Sequence, residues 1–204
     1  MASGPAYRIE TSRLVLVPPS PELAEKAKRA EDESREHLRT FMLWADRQPE
    51  TIDDTIAKLR QFRAAFEAGT DMMYLAFRGD EIVGGTGLHA RVGKGGLEIG
   101  YWVHSAHVRR GLATEIAGAL TRVAFEVHEA RWVEIRTAKA NVASAGVPPK
   151  LGYRHEATLA QRLEVPGQKV DDALVFTLLA SEYLSSPAHA ISVSAFDAVG
   201  RRLF

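Results

Sequence analysis

The sequence predicts a mixed α+β domain, with helices on the faces of one largely antiparallel sheet. Short segments between residues 72 and 103 alternate apolar residues with a period of two, which is typical of strands. Residues 52–66 and 112–127 instead repeat apolar residues at spacings of three and four, as helices do. The predicted order is β, α, α, then a meander of three strands, then α, β, α, β, β.

The first predicted strand covers residues 9–17, where leucines alternate with other residues. Pro18 and Pro19 follow and cannot donate to a strand ladder, so the strand ends there. Ser20 and Pro21 then form a helix start with proline in the first turn, and a charged helix continues for about twenty residues.

The second helix begins at Thr51, which forms a capping-box pattern with Asp54, and Gly69 ends it. Strands at 72–77 and 82–88 follow, joined by a hairpin turn. The remaining predicted elements are a strand at 97–103, a helix at 112–127, a strand at 133–137, a helix at 140–151 interrupted by two prolines, and strands at 154–165 and 171–179.

The chain carries 26 basic and 26 acidic side chains and no cysteine. Balanced charge gives no reason to expect nucleic acid or an anionic membrane as a partner. The lack of cysteine excludes disulfides and thiolate metal sites, and we predict no metal site. No apolar run approaches the roughly 20 residues of a membrane helix, and residues 1–8 lack an apolar signal core. We therefore expect a cytoplasmic protein with one domain over residues 1–183 and a tail over 184–204.

A helix begins within residues 107–114, yet no Ser, Thr, Asp or Asn immediately precedes it to cap its backbone amides. The positive end of a helix favours acids, but Arg109 and Arg110 stand there. Gly111 and Ala113 are small enough to let an anion reach the backbone. The pattern favours a phosphate or pyrophosphate site, and solvated arginines at an ordinary loop–helix junction are the alternative. Neither a P-loop nor a dinucleotide-binding glycine pattern is present.

Five segments follow one another in a recognisable order. They are Glu10–Leu16, Glu98–Trp102, Arg109–Glu115, Asn141–Ser144 with Leu151–Tyr153, and Asp171–Leu179. Together they resemble the GNAT superfamily of acyl-CoA N-acyltransferases, and most of all its RimJ/RimL type, over roughly residues 7–183. The resemblance implies an acetyl-CoA-dependent N-acetyltransferase whose seven-stranded, mostly antiparallel sheet carries helices on both faces.

Two positions depart from the superfamily pattern. Val108 stands where a Gln or Arg usually opens the phosphate loop, which is a small loss because backbone amides bind most of the phosphate. Pro148 stands where many members place a tyrosine acid. The RimJ/RimL type instead uses a serine in an N-x-x-S segment, and Ser144 occupies that position.

Acylation of an amine needs a base, donors for the developing oxyanion, and a proton donor for the departing thiolate. Glu98, on the strand that leads to the phosphate loop, is the candidate base, acting through water; its alternative is a charge-paired surface glutamate. His89, at the end of the preceding strand, competes for the same role. Ser144 is the candidate donor to the thiolate, and a serine bonded to its own helix is the alternative.

The resemblance also implies which residues bind coenzyme A. They are Tyr101, Trp102 and Val103 on the strand, Arg109, Arg110, Gly111, Leu112, Ala113 and Thr114 in the loop and helix start, and Asn141. The alternative for Tyr101 and Trp102 is packing in the core, and for Asn141 it is capping of its helix alone. The expected acceptor is a primary amine, either a protein N-terminus or a small molecule. A non-catalytic module that binds or senses acyl-CoA is the second hypothesis, because the tyrosine acid is missing. The tail leaves a homodimer open.

Overall fold

The computed structural model describes residues 4–167 and 169–204 of the chain. The strands are, in chain order, β1 (Arg8–Thr11), β2 (Val15–Val17), β3 (Asp71–Arg78), β4 (Glu81–His89), β5 (Gly96–Val103), β6 (Trp132–Ala138), β7 (Arg154–Val165), β8 (Lys169–Leu179) and β9 (Val193–Phe196). Residues 1–3 of the N-terminal segment considered above, and Gln168 between β7 and β8, lie outside the described residues.

Helices connect these strands. The α-helices are α1 (Ala24–Leu38), α2 (Leu43–Asp46), α3 (Ile52–Glu67), α4 (Leu112–Glu126), α5 (Val142–Ala145) and α6 (Ala180–Tyr183). Short 3-10 helices cover Pro21–Leu23, Ser105–His107 and Pro148–Leu151. In the two described ranges, none of these helices combines the length and apolar character needed to cross a bilayer.

All nine strands belong to one sheet, in the order β7-β8-β6-β5-β4-β3-β2-β1-β9. Every neighbouring pair is antiparallel except β5 and β6, which run parallel. The predicted fold class, a mixed α+β domain with a mostly antiparallel sheet flanked by helices, is therefore confirmed.

The sheet has nine strands rather than the seven that the resemblance implied. One extra strand arises because the predicted strand at 9–17 is two strands. Thr11 Oγ1 accepts hydrogen bonds from the backbone N–H of Arg13 at 3.3 Å and Leu14 at 3.0 Å, which turns the chain back on itself. The other extra strand is β9 in the C-terminal segment, which pairs with β1.

The helix boundaries differ from prediction at α1 and agree at α3. The Ser20 side chain makes no capping hydrogen bond, residues 21–23 form a 3-10 turn, and α1 ends at Leu38. Thr51 and Asp54 form the predicted capping box, with reciprocal bonds of 3.2 and 2.9 Å. Gly69 follows α3 with a φ of 66°, a left-handed conformation that favours glycine.

Two apolar clusters hold the layers together. Helix α4 buries Ile116, Leu120 and Val123 completely in the larger cluster, which also includes Tyr74 of β3. The smaller cluster joins α1 and α3 to the sheet through Leu75, the next residue of the same strand. Because successive strand residues point to opposite faces, α4 and α1 cover opposite sides of the sheet.

The capping box gives a test of local stability. Replacing Thr51 by Ala removes the side chain that accepts from the Asp54 amide, so we expect the free energy of unfolding to fall by about 1 kcal/mol. Denaturant unfolding measures the change. Asp53→Ala is the matched control, since Asp53 lies in the same turn but outside the capping box. Equal losses in the two variants would contradict the assigned cap.

Candidate active site

Strands β5 and β6 pair over only three residues and then separate. Residues 96–98 lie opposite 132–134, and beyond these pairs no strand within the described ranges joins the facing edges. The backbone of residues 99–103 is therefore an unpaired strand edge in the middle of the sheet. A cavity of about 660 Å³ opens at this gap, and we call it the central cleft. Glu98 and Ser144, the candidate catalytic residues, both line it.

The loop after β5 enters α4 through two left-handed residues. Arg109 has a φ of 58° and Gly111 a φ of 78°, both in the left-handed region of the backbone. No side chain caps α4. The first amides of a helix, here those of Leu112, Ala113 and Thr114, have no partner within the helix itself. Within the described chain, the guanidinium groups of Arg109 and Arg110 form no ion pair.

A buried carboxylate fastens this loop to the turn between β1 and β2. Glu115, in the first turn of α4, is 8% exposed. It accepts hydrogen bonds from Thr11 Oγ1 at 2.6 Å and from the Arg13 backbone and Nε at 3.1 and 2.6 Å. Arg13 Nη1 in turn donates to the carbonyl oxygen of Arg110 at 2.9 Å. Burial opposes ionisation, but these donors outweigh it and lower the pKa of Glu115.

The other end of the central cleft contains two neighbouring hydroxyl groups. Asn141 caps α5 by accepting a hydrogen bond from the Ser144 backbone at 3.1 Å. The Tyr101 hydroxyl lies 3.1 Å from the Ser144 hydroxyl and 3.3 Å from the Ser144 carbonyl oxygen, and its single proton can be donated to either one. Burial raises the pKa of Tyr101 to about 12. The phenol therefore stays protonated at neutral pH and is a hydrogen-bond donor.

The three strand residues expected to bind the cofactor do not share one face. Val103 and Tyr101 pack against the apolar cluster of α4, whereas Trp102 packs against the cluster of α1 and α3. The Trp102 indole lies over Gly85, where an added Cβ would be 2.4 Å from its Nε1. Trp44 meets Trp102 edge to face at 5.9 Å, which forms an aromatic wall of the central cleft.

Glu98 is buried against two cations. Arg91 Nη2 lies 2.5 Å from its Oε1, and Arg136 Nε lies 3.9 Å from its Oε2. The residue as a whole is 7% exposed. Both carboxylate oxygens therefore face guanidinium groups of the neighbouring segments.

His89 lies directly opposite Glu98 in the β4–β5 register. Its Nδ1 is 2.6 Å from Asp71 Oδ1, and Asp71 is its cross-strand neighbour on β3. The ring lines the central cleft together with Glu98. The structure thus brings both candidate bases to the same wall.

Two segments enclose the outer part of the central cleft. One consists of residues 41–44, which lead into α2 and form its first turn, and the other of residues 163–164 of β7. The end of α2 contacts the turn after β7, where the Gly167 backbone N–H donates to Asp46 Oδ2 at 3.1 Å.

Sequence reasoning missed Arg13, Glu115, Asp71, Arg91 and Arg136. Glu115 is 102 residues from Arg13 in the chain, so no local spacing could pair them. Asp71 had a detectable signal: an acid at the start of one strand of a predicted meander lies near the end of the next strand. Within residues 4–167 and 169–204, no group of three or more His, Cys, Asp or Glu side chains is arranged to hold a metal ion.

Comparisons with known proteins support the same fold. A family model for the acetyltransferase (GNAT) domain matches residues 13–154. Mycobacterium smegmatis RimJ, in complex with CoA-disulfide, aligns with a TM-score of 0.81 and 23% identity over 93% of this chain and 95% of that one. RimL, in complex with coenzyme A, aligns with a TM-score of 0.76 and 18% identity over 83% and 95%.

The microcin self-immunity acetyltransferase MccE, in complex with acetyl-CoA and AMP, gives a TM-score of 0.76 at 16% identity over 82% of this chain and 93% of that one. A comparison of the sequence with curated proteins gives no match. At these identities the structural likenesses establish the fold, and the family model adds membership in a group of acetyltransferases.

Replacing Glu115 by Gln tests the link between the β1–β2 turn and the loop. We expect the free energy of unfolding to fall by about 1–3 kcal/mol at neutral pH, because Arg13 loses its charged partner. A pKa lowered by folding stabilises the protein above the ordinary value of 4.5, and this stabilisation is lost as the pH falls through the lowered value. Denaturant unfolding at neutral and acidic pH should therefore show a difference that shrinks in acid.

The matched control is Glu36→Gln, because Glu36 pairs with Arg39 on the surface and is 88% exposed. A difference between wild type and Glu115→Gln that stays constant across the pH range would contradict the assigned role of the Glu115 charge.

Proposed function

We propose that this chain, which belongs to the acetyltransferase (GNAT) family, transfers an acetyl group from acetyl-CoA to a primary amine by direct attack on the thioester. One observation carries the proposal. An uncapped helix start with two left-handed residues follows an unpaired strand edge. The backbone groups that would bind the diphosphate and those that would bind pantetheine therefore belong to one continuous segment, residues 99–114.

The loop at the start of α4 fits a diphosphate. Free amides at a helix N-terminus, with the dipole behind them, favour an anion. Arg109 and Arg110 add two positive charges at an end where they would otherwise repel the helix dipole. The strained φ of Arg109 is also consistent with a binding loop, since such conformations persist only where the surroundings impose them.

The strand edge of β5 fits the pantetheine arm. Residues 99–103 present backbone groups that have no strand partner on the β6 side, and amide groups of a ligand can satisfy them. Asn141 lines the same cleft beside this edge. When bound, acetyl-CoA supplies the activated acetyl group as a thioester, and the protein supplies position, hydrogen bonds and proton transfer.

Ser144 is our candidate for donating a proton or hydrogen bond to the departing sulfur. Its Oγ lines the cleft and lies within hydrogen-bond distance of the Tyr101 hydroxyl. Because the Tyr101 phenol remains protonated, it can donate to Ser144 Oγ while the serine proton points elsewhere. Tyr101 is thereby a positioning residue in this proposal. It comes from strand β5, whereas the tyrosine acid of many family members stands at the position of Pro148.

The amine acceptor enters from the outer part of the central cleft. The aromatic wall of Trp44 and Trp102 suits an apolar group next to the amine. RimL is named as a ribosomal L7/L12 alpha-N-protein acetyltransferase, and MccE is named as a microcin C7 self-immunity acetyltransferase. For this chain the two acceptor classes are a protein N-terminus and a small molecule. We propose the primary amine as the shared chemistry of both classes.

Turnover separates an enzyme from a non-catalytic binding module. Purified protein is given acetyl-CoA with a pooled panel of N-terminal peptides and small primary amines, and released thiol is measured. We expect thiol release with at least one pool. Tight binding of coenzyme A by calorimetry without any thiol release would instead favour the binding module.

Removing the two loop arginines tests the phosphate site. We expect the double variant Arg109→Ala/Arg110→Ala to weaken coenzyme A binding about tenfold or more, with a smaller salt dependence, because two cations near the diphosphate are lost. Calorimetry at two salt concentrations measures both effects. Arg39→Ala, a surface arginine outside the loop, is the control, and an unchanged dissociation constant in the loop variant would contradict the site.

Ser144→Ala tests the proton donor. We expect kcat to fall about 10²-fold while the dissociation constant for coenzyme A stays the same, since the hydroxyl acts on the leaving sulfur. Ser185→Ala is the matched control, because that exposed serine only bonds the Glu182 carbonyl oxygen. Wild-type kcat in Ser144→Ala would remove its assigned role.

A further inference from the structure

A base for the amine needs a lone pair that faces the acceptor, and one oxygen of Glu98 is already hydrogen-bonded to a cation. Arg91 lies 2.5 Å from one of its oxygens, and Arg136 lies 3.9 Å from the other. The Arg91 guanidinium hydrogen-bonds the carboxylate directly, so an incoming amine would have to share it with a cation that is already bound. These ion pairs instead suit a structural role, in which Glu98 links the segments that form the wall of the central cleft.

His89 has the opposite arrangement. A carboxylate can only accept hydrogen bonds, so the contact of 2.6 Å with Asp71 Oδ1 places the imidazole proton on Nδ1. Nε2 then carries the lone pair. Within the described residues, Nε2 has no hydrogen-bond partner, and the His89 side chain is 13% exposed. Asp71 therefore fixes the tautomer in which the free nitrogen is a base.

The sheet makes room for this ring on the cleft side. Gly87 and Gly100 are cross-strand neighbours beside His89. A Cβ added to Gly87 would lie 3.0 Å from His89 Nε2, and one added to Gly100 would lie 3.3 Å from it. The ring thus lies over bare backbone with Nε2 near Gly100, the second residue of the unpaired edge proposed to hold pantetheine.

We propose that His89 is the general base of the acetyl transfer and that Asp71 is its positioning residue; this inference rests on the proposed function. As the amine nitrogen bonds to the acetyl carbon, its proton passes to His89 Nε2. The carbon–sulfur bond breaks, the sulfur takes the electron pair, and it receives a proton from Ser144 or solvent. An amine that arrives as an ammonium ion first loses one further proton to solvent, so that His89 Nε2 is still unprotonated when the amine attacks.

Charged side chains from the neighbouring strands and the segment after β4 lie around His89. Asp71 faces it from β3, Glu98 from β5, Arg91 from the segment after β4, and Arg136 from β6 through Glu98. The negative charge of Glu98 is balanced by Arg91 and Arg136. The carboxylate of Asp71 is therefore the charge that would pair with a protonated His89. The dyad can therefore accept a proton without leaving an unpaired charge in the cleft.

Kinetics and calorimetry test the base. We expect His89→Gln to lower kcat about 10²-fold and to remove the fall in rate at acidic pH, with an unchanged dissociation constant for coenzyme A. Glu98→Gln should keep that acidic fall. His37→Gln, an exposed histidine on α1, is the control and should behave as wild type. A wild-type pH profile in His89→Gln, with the acidic fall lost in Glu98→Gln, would overturn the proposal and assign the base to Glu98.

Nitrogen-15 NMR of the imidazoles tests the dyad without turnover. Wild-type protein with no substrate should show His89 as the Nδ1–H tautomer. In Asp71→Asn the side-chain amide can donate to Nδ1, so the proton should move to Nε2 and kcat should fall. An Nε2–H tautomer in wild type would overturn the dyad. A wild type with the Nδ1–H tautomer that releases no thiol with any amine would overturn the proposed function, and the base assignment with it.

Discussion

The parting of β5 from β6 is the constraint on which the rest of the site depends. Backbone groups buried in a sheet need hydrogen-bond partners, and three residue pairs satisfy only the start of these two strands. The antiparallel ladders on either side, β4 with β5 and β6 with β8, keep each strand in place after they separate. The gap is therefore a stable feature of the fold, and its free edge is available to a ligand that resembles a strand.

Strand β5 leads into the proposed phosphate loop before α4. Two features of this loop are unfavourable on local grounds. Arg109 adopts a left-handed conformation that non-glycine residues avoid, and arginines stand at the positive end of α4. Contacts made elsewhere hold this arrangement. Glu115 and Arg13 tie the loop to the β1–β2 turn through a buried, multiply bonded carboxylate. The loop is thus pre-formed, so an anion would bind without first ordering it.

Glycine spacing explains how one face of the sheet accommodates the cleft. Gly85 leaves room for the Trp102 indole, and Gly87 with Gly100 leaves room for the His89 ring. Side chains at these positions would crowd the two rings and displace them from the wall of the cleft. The opposite face carries Tyr101 toward Ser144, so the proposed base and the proposed proton donor lie on different sides of one strand.

The local sequence was sufficient to predict features that depend only on residues close together in the chain. Periodicity gave the order of strands and helices, the Thr51 capping box gave the start of α3, and the missing cap before Gly111 indicated an anion site. The resemblance supplied the family and the expected cofactor. The turn that splits residues 9–17 was missed, because a side-chain hydrogen bond decides it. A strand from the tail was one of two options, and its pairing with β1 was not predicted because the two segments are far apart in the chain.

Tertiary structure alone decided which charges meet. Glu98 alternates correctly for a cleft residue, yet its partners Arg91 and Arg136 come from two other segments, and only folding makes it a paired carboxylate. Asp71 and His89 are 18 residues apart, and strand register brings their side chains to 2.6 Å. The strength of a base depends on the charges and donors around it, and a linear sequence does not state those neighbours when they come from different strands.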